Sequence, residues 1–254
     1  MTGARGAAVA AVVAFGAVAA SAGEARANRW RRAAERVQAG AWLHYELTGL
    51  TVVDEGMTPP NARELVLAGA RLHGFVGANA SVAYHFGIDL AAGGTIRGGG
   101  FAYDVALFPV GVVVRGGATS IFGIGAGIGV IGAAGTIDDA VTLPVEVTAE
   151  VGGGVRVLAR ARFAYVAGAA SRQSAAPSLP FADELDATLG LRLGRHYRDY
   201  GFPTGNGYFV GASYRELAGA RFLGLTIGYS IDLAMPRRWV RDEAGKLPRS
   251  GRTY

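Results

Sequence analysis

From Arg221 to Ala234 the chain alternates without a slip. Leu223, Leu225, Ile227, Tyr229, Ile231 and Leu233 share one parity, while Phe222, Gly224, Thr226, Gly228, Ser230 and Asp232 share the other. Period two over that length specifies a strand with one apolar face and one face of small or polar groups. The pattern recurs in ten segments, approximately 41 to 53, 64 to 78, 80 to 92, 99 to 115, 119 to 134, 140 to 152, 155 to 168, 184 to 196, 206 to 217 and 220 to 234. Glycine, proline, asparagine or aspartate punctuates most of the gaps, as turns require. In the eighth segment Leu185, Ala187, Leu189, Leu191 and Leu193 oppose Glu184, Asp186, Thr188, Gly190, Arg192, Gly194 and His196. Charge reaches the apolar parity only at segment tips, at Glu64, Arg115, Glu216 and Arg221. All four histidines, His44, His73, His85 and His196, fall on the polar parity.

Segment length narrows the choice of architecture. Strands of soluble proteins usually run about five or six residues, whereas these approach a dozen and match the roughly 9 to 11 residues of a tilted membrane-spanning strand. Lipid offers no partner to a bare N–H or C=O, so strands can cross it only as a closed barrel. Alternation alone leaves the polarity open. A membrane barrel turns the apolar parity outward, and a soluble secreted lipocalin-like barrel that binds a ligand turns it inward. Glycine-rich polar parity would make an odd solvated surface. Aromatic residues are also sorted, as membrane interfaces require. With both termini on the periplasmic side, Phe101, Tyr103, Phe163, Tyr165 and Tyr214 fall near the outer rim, and Tyr208 and Tyr229 near the inner rim. Loop lengths agree in part. The turns at Gly77 to Ala80, Gly116 to Thr119 and Gly152 to Gly154 are short and the loop "GAASRQSAAPSLPFAD" is long, but "RHYRDYGFPTGNG" makes a long inner turn and "ELAGA" a short outer one. Ten strands are expected, with eight as the alternative count.

These features resemble the small bacterial outer-membrane β-barrel superfamily over about Ala41 to Ala234. The last segment is similar to that family's assembly signal, a glycine followed by spaced apolar and aromatic residues, here Gly224, Ile227 and Tyr229. Family members commonly end on an aromatic residue of the last strand, whereas this chain continues through "MPRRWVRDEAGKLPRSGRTY". The resemblance implies an all-β, closed antiparallel transmembrane barrel in the outer membrane, in contact with membrane lipid, with a structural or narrow-pore role. Lipid-hydrolysing members direct a histidine and a serine toward the membrane. Here the histidines, with Ser81, Ser213 and Ser230, take the opposite parity, so an enzyme is not expected and lipid hydrolysis is a lesser alternative.

The amino end changes the picture of location. Arg5 precedes an uncharged apolar run from Gly6 to Ala20, followed by the small-x-small triplet Ala25-Arg26-Ala27. That order reads as a secretory signal peptide over 1–27, followed by a short periplasmic segment over 28–40, the barrel over 41–234 and a basic tail over 235–254. Half of the 254 residues are hydrophobic and 40 are glycine without a G-X-Y register, which excludes disorder and collagen. With no cysteine there is neither a disulfide nor a thiolate metal site. Net charge is +5, with Lys246 the only lysine. An exported chain gives that charge no nucleic-acid partner.

Candidate chemistry lies on the polar parity. A hairpin centred on Gly153 would set Glu150 opposite Arg156 and Glu146 opposite Arg160. Charges inside a narrow barrel must be paired or wetted, so a lumen network is expected of Glu46, Arg71, His73, His85, Asp89, Asp104, Glu146, Glu150, Arg156, Arg160, Arg162, Asp186, Arg192, Arg215 and Asp232. Gly127 to Gly132, "GIGVIG", matches the G-x-G-x-x-G string, but its flanks keep alternating where a dinucleotide site needs a helix. No cofactor and no metal site are expected. His44 with Glu46 and His85 with Asp89 place acid and base on one strand face, as any barrel lumen does.

Overall fold

The computed structural model describes residues 37–54, 64–77, 82–96, 100–115, 120–133, 137–152, 155–170, 184–194, 206–217 and 220–236. The expected signal peptide, residues 171–183 of the loop "GAASRQSAAPSLPFAD", His196 and the tail beyond Pro236 lie outside them. Ten strands form: β1 (Val37–Asp54), β2 (Glu64–Gly77), β3 (Val82–Thr95), β4 (Phe101–Arg115), β5 (Ser120–Ala133), β6 (Ile137–Gly152), β7 (Val155–Ala170), β8 (Glu184–Gly194), β9 (Gly207–Leu217) and β10 (Ala220–Pro236). Every strand pairs antiparallel with its sequence neighbours, and β1 closes the barrel on β10. The eight-strand count is therefore wrong. The long inner turn that suggested it follows a short β8, not a merged strand.

Closure leaves no sheet edge, so ladder hydrogen bonds are satisfied all the way round. The shortest strands, β8 and β9, hold 11 residues each. That is about 36 Å of extended chain, and a tilt near 40° projects it to roughly 28 Å, enough to span an apolar band of about 25 Å.

Polarity is now decided. Leu47, Leu72, Leu107, Ile124, Ile128, Leu189, Leu191, Leu225 and Ile227 stand exposed on the outer surface. Arg71, Arg156, Arg160, Arg162, Arg192 and Arg215 are buried inside. A lipocalin-like arrangement needs the reverse. The interior is also layered. Toward the end carrying the β1–β2 loop, Leu50, Leu65, Leu67, Ala102, Ile131, Ala140, Leu217, Ala220 and Phe222 form an apolar cluster. Toward the end where β1 begins and β10 stops, Phe75, Ala83, Val113 and Ile121 form a second one, with Trp42 packed against it. Charged side chains fill the interior between these clusters and also beside them, Glu150 opposite Ile121 and Asp104 opposite Ile131.

One strand breaks its alternation. Phe108 points inward at 1% exposure and Val110 outward at 60%. The ladders of β4 with β3 and with β5 both shift across this stretch. The extra residue is a β-bulge at Pro109, where the missing N–H leaves no ladder bond to lose. The hydroxyl of Tyr84 donates to the Pro109 carbonyl on the outer surface. Below the bulge Val112 and Val114 face out and Val113 faces in, the reverse of an uninterrupted parity that would have put Val113 and Arg115 outside.

The β6–β7 register also differs from expectation. Gly152 pairs with Arg156, Glu150 with Leu158, Thr148 with Arg160 and Glu146 with Arg162, two residues away from a hairpin centred on Gly153. Gly152, at φ 130°, adopts a conformation that a side chain would strain, and this glycine sets where the turn closes.

Candidate functional site

Inward positions of the ten strands bring the charged residues together in three tiers. Nearest the loop end, Arg162 and Arg215 both donate to Oδ2 of Asp104, the latter at 2.5 Å, and Arg162 also meets Asp186 at 3.5 Å. Buried Glu184 stands at the start of β8 in the same tier. In the middle, Arg71 Nε donates to Asp89 Oδ1 at 3.0 Å and its Nη2 to Glu146 Oε1 at 2.5 Å. The first contact joins neighbours in the β2–β3 ladder. The second crosses the lumen from β2 to β6, as does Arg160 on β7 toward Glu46 on β1 at 3.5 Å. A relay of hydroxyls, Thr48 to Thr226 to Ser213 to Thr188, at 2.8, 2.5 and 3.3 Å, then reaches Arg160 at 3.4 Å. In the lowest tier Glu150 lies 2.8 Å from Arg156 and 3.0 Å from Arg192. Arg192 also reaches Ser230 at 2.6 Å and His44 at 3.3 Å.

The register correction reassigns the expected pairs. Glu150 still meets Arg156, by a diagonal contact. Glu146 does not meet Arg160, because Arg71 occupies it from across the barrel. The side chain of Asp232 lies outside the described residues.

Two buried histidines extend the middle tier. His73 Nε2 lies 2.6 Å from Asp89 Oδ1, and His73 Nδ1 lies 2.8 Å from His85 Nε2. Glycines make room for these rings. A Cβ on Gly87 would sit 2.5 Å from the His73 ring, and one on Gly111 would sit 2.9 Å from His85 Nδ1. Trp42 and Phe108 flank the pair, at ring separations of 5.7 Å to His85 and 5.9 Å to His73. His73, Asp89 and Glu146 are all buried, and each offers one ligand atom within 4.8 Å of the others. Periodicity could not have found this trio, because its members come from β2, β3 and β6 and share no sequence spacing.

Among the described residues, one cavity holds about 40 Å³ beside Glu46, Arg71 and Arg160, and another about 60 Å³ beside Trp42, His73, His85 and Glu146. A third holds about 20 Å³ beside His44 and Arg192. These are volumes for a few water molecules.

On the outer surface Phe101 stacks on Tyr103 at 6.3 Å near the loop end, where Phe163, Tyr165 and Tyr214 also lie. Tyr103 donates to Asp139. Tyr208 and Tyr229 meet edge to face at 5.0 Å near the other end. Tyr45, Tyr84 and Phe86 are exposed at that lower end too and were not singled out from the sequence. Their own alternation carried the signal.

No family model matches the chain, and no curated protein matches it. Among solved structures, the chain is similar to the β domain of the Bordetella autotransporter BrkA, at 13% identity and a TM-score of 0.38, covering 78% of this chain and 99% of that one. It is similar to LpxR from Salmonella typhimurium at 10% identity and a TM-score of 0.35, covering 79% and 91%. It is also similar to the translocator domain of the autotransporter NalP from Neisseria meningitidis, at 11% identity and a TM-score of 0.37, covering 80% and 94%.

Proposed function

We propose that this chain is an integral outer-membrane protein, exported by its amino-terminal signal, whose barrel is a closed structural element of the membrane and not an open solute pore. One observation carries this reading. Aliphatic side chains cover the outside while arginines and carboxylates pair with one another across the middle. An aliphatic belt of this size in water would drive association, and in acyl chains it is the stable surface.

Closure of the bore is supported by what fills it. Six buried arginines project into the lumen, apolar clusters lie toward both ends, and the cavities are water-sized. Of the two roles the pattern allowed, this favours the structural one. Conductance in a planar bilayer tests it, with Arg160→Ala beside the unaltered barrel. The unaltered barrel stays silent and the variant, which vacates the centre, gains small openings. Steady ion-selective conductance from the unaltered barrel would replace this reading with the narrow pore. A mature chain that is monodisperse in plain buffer would remove the membrane altogether.

In the same reading the chain is not an enzyme. The histidines point inward and are engaged by their neighbours: His44 by Arg192, and His73 by Asp89 and His85. Incubation of the refolded barrel with phospholipid and lipid A should release no fatty acid above the buffer control. Release that disappears in His85→Ala would establish the hydrolase instead.

A further inference from the structure

We propose that the middle tier is a binding site for one divalent transition-metal ion, with His73, Asp89 and Glu146 as the protein ligands. The three residues are at most 7% exposed, and their ligand atoms already converge within 4.8 Å of one another. One imidazole with two carboxylates, in a chain without cysteine, is a nitrogen–oxygen donor set suited to Zn²⁺, with Co²⁺ as its spectroscopic stand-in.

Two features point to a cation there. Glu146 Oε1 is held by Arg71, while its Oε2 is buried with no hydrogen-bond partner. An anionic oxygen in that condition is costly unless a positive charge meets it. The groups around the trio are also arranged as supports. Arg71 anchors one oxygen of each carboxylate. His85 Nε2 faces His73 Nδ1 at 2.8 Å, so it can accept that N–H and leave the His73 Nε2 lone pair for the metal. The adjoining cavity of about 60 Å³, lined by His73, His85 and Glu146, leaves room for a water as a further ligand. On entry the ion would replace the proton held between His73 Nε2 and Asp89 Oδ1, 2.6 Å apart, and that proton would leave to solvent.

The test uses the untagged full mature chain, refolded into detergent after chelator treatment and titrated with Co²⁺ and then Zn²⁺. One equivalent of Co²⁺ should give visible d–d absorption, Zn²⁺ should displace it, and thermal unfolding should shift upward on binding. Glu146→Gln keeps the shape and an oxygen toward Arg71, and His73→Gln removes the imidazole. Each should weaken binding at least about tenfold. Glu46→Gln, at the carboxylate held by Arg160, should bind as the unaltered chain does. If Glu46→Gln weakened binding equally, or if the unaltered chain bound less than one equivalent, the assignment would be overturned. Should a variant fail to fold, the Co²⁺ spectrum of the unaltered chain decides alone. Bands of a nitrogen–oxygen site support the proposal, and a spectrum like that of free aqueous Co²⁺ ends it.

Discussion

At the scale of residues, burial decides which ion pairs matter. Asp104 is shared by two buried guanidiniums, so Asp104→Ala strands positive charge in the interior and should cost about 3 to 5 kcal/mol. Asp54 meets Arg221 at 3.0 Å on the exposed rim, and Asp54→Ala should cost no more than about 1 kcal/mol. Urea unfolding of both variants in the same detergent measures the contrast, and equal losses would mean the lumen is wetter than its packing implies. The glycine facing His73 sets a second expectation. Gly87→Ala drives a methyl into the imidazole and should destabilise by about 1 to 3 kcal/mol. In a His73→Ala background the same substitution should be nearly neutral, which a double-mutant cycle of melting curves reads directly.

Strands and their pairings carry the next level. Lengths and boundaries of nearly all ten elements followed from alternation and turn residues, because an inside and an outside of opposite polarity leave each position little freedom. Two local events escaped. The bulge at Pro109 flips the lower half of β4, since one extra residue exchanges the two faces of everything after it. Proline was visible, but whether it ends a strand or bulges one depends on the neighbouring ladders. The hairpin register moved by two residues, with Gly152 at positive φ among the described residues, and three consecutive glycines in the sequence gave no means of choosing where the turn closes. Nitroxide labels placed singly from 110 to 114 test the bulge. Oxygen accessibility in lipid should be high at 110, 112 and 114 and low at 111 and 113. The opposite phase would mean that β4 runs unbroken.

For the whole molecule, closure is the consequential property. Because β1 pairs with β10 along nearly its full length, the seam should resist exchange as well as any interior ladder. Amide hydrogen exchange of the refolded barrel should find residues 41–51 and 223–233 as protected as 141–149, and selective fast exchange at the seam would indicate an open sheet. The chain by itself determined that there would be long amphipathic strands, about ten of them, and that histidine, arginine and carboxylate would share one face, because a two-residue period is a local property. It also showed where aromatic residues cluster. Which face lies inside was decided only by closing the ring, since alternation reads the same from either side. The partners across the lumen were decided there too. Arg71 meets Glu146 because closure brings β2 opposite β6 within a bore one side chain deep, and no sequence spacing encodes a distance across a barrel.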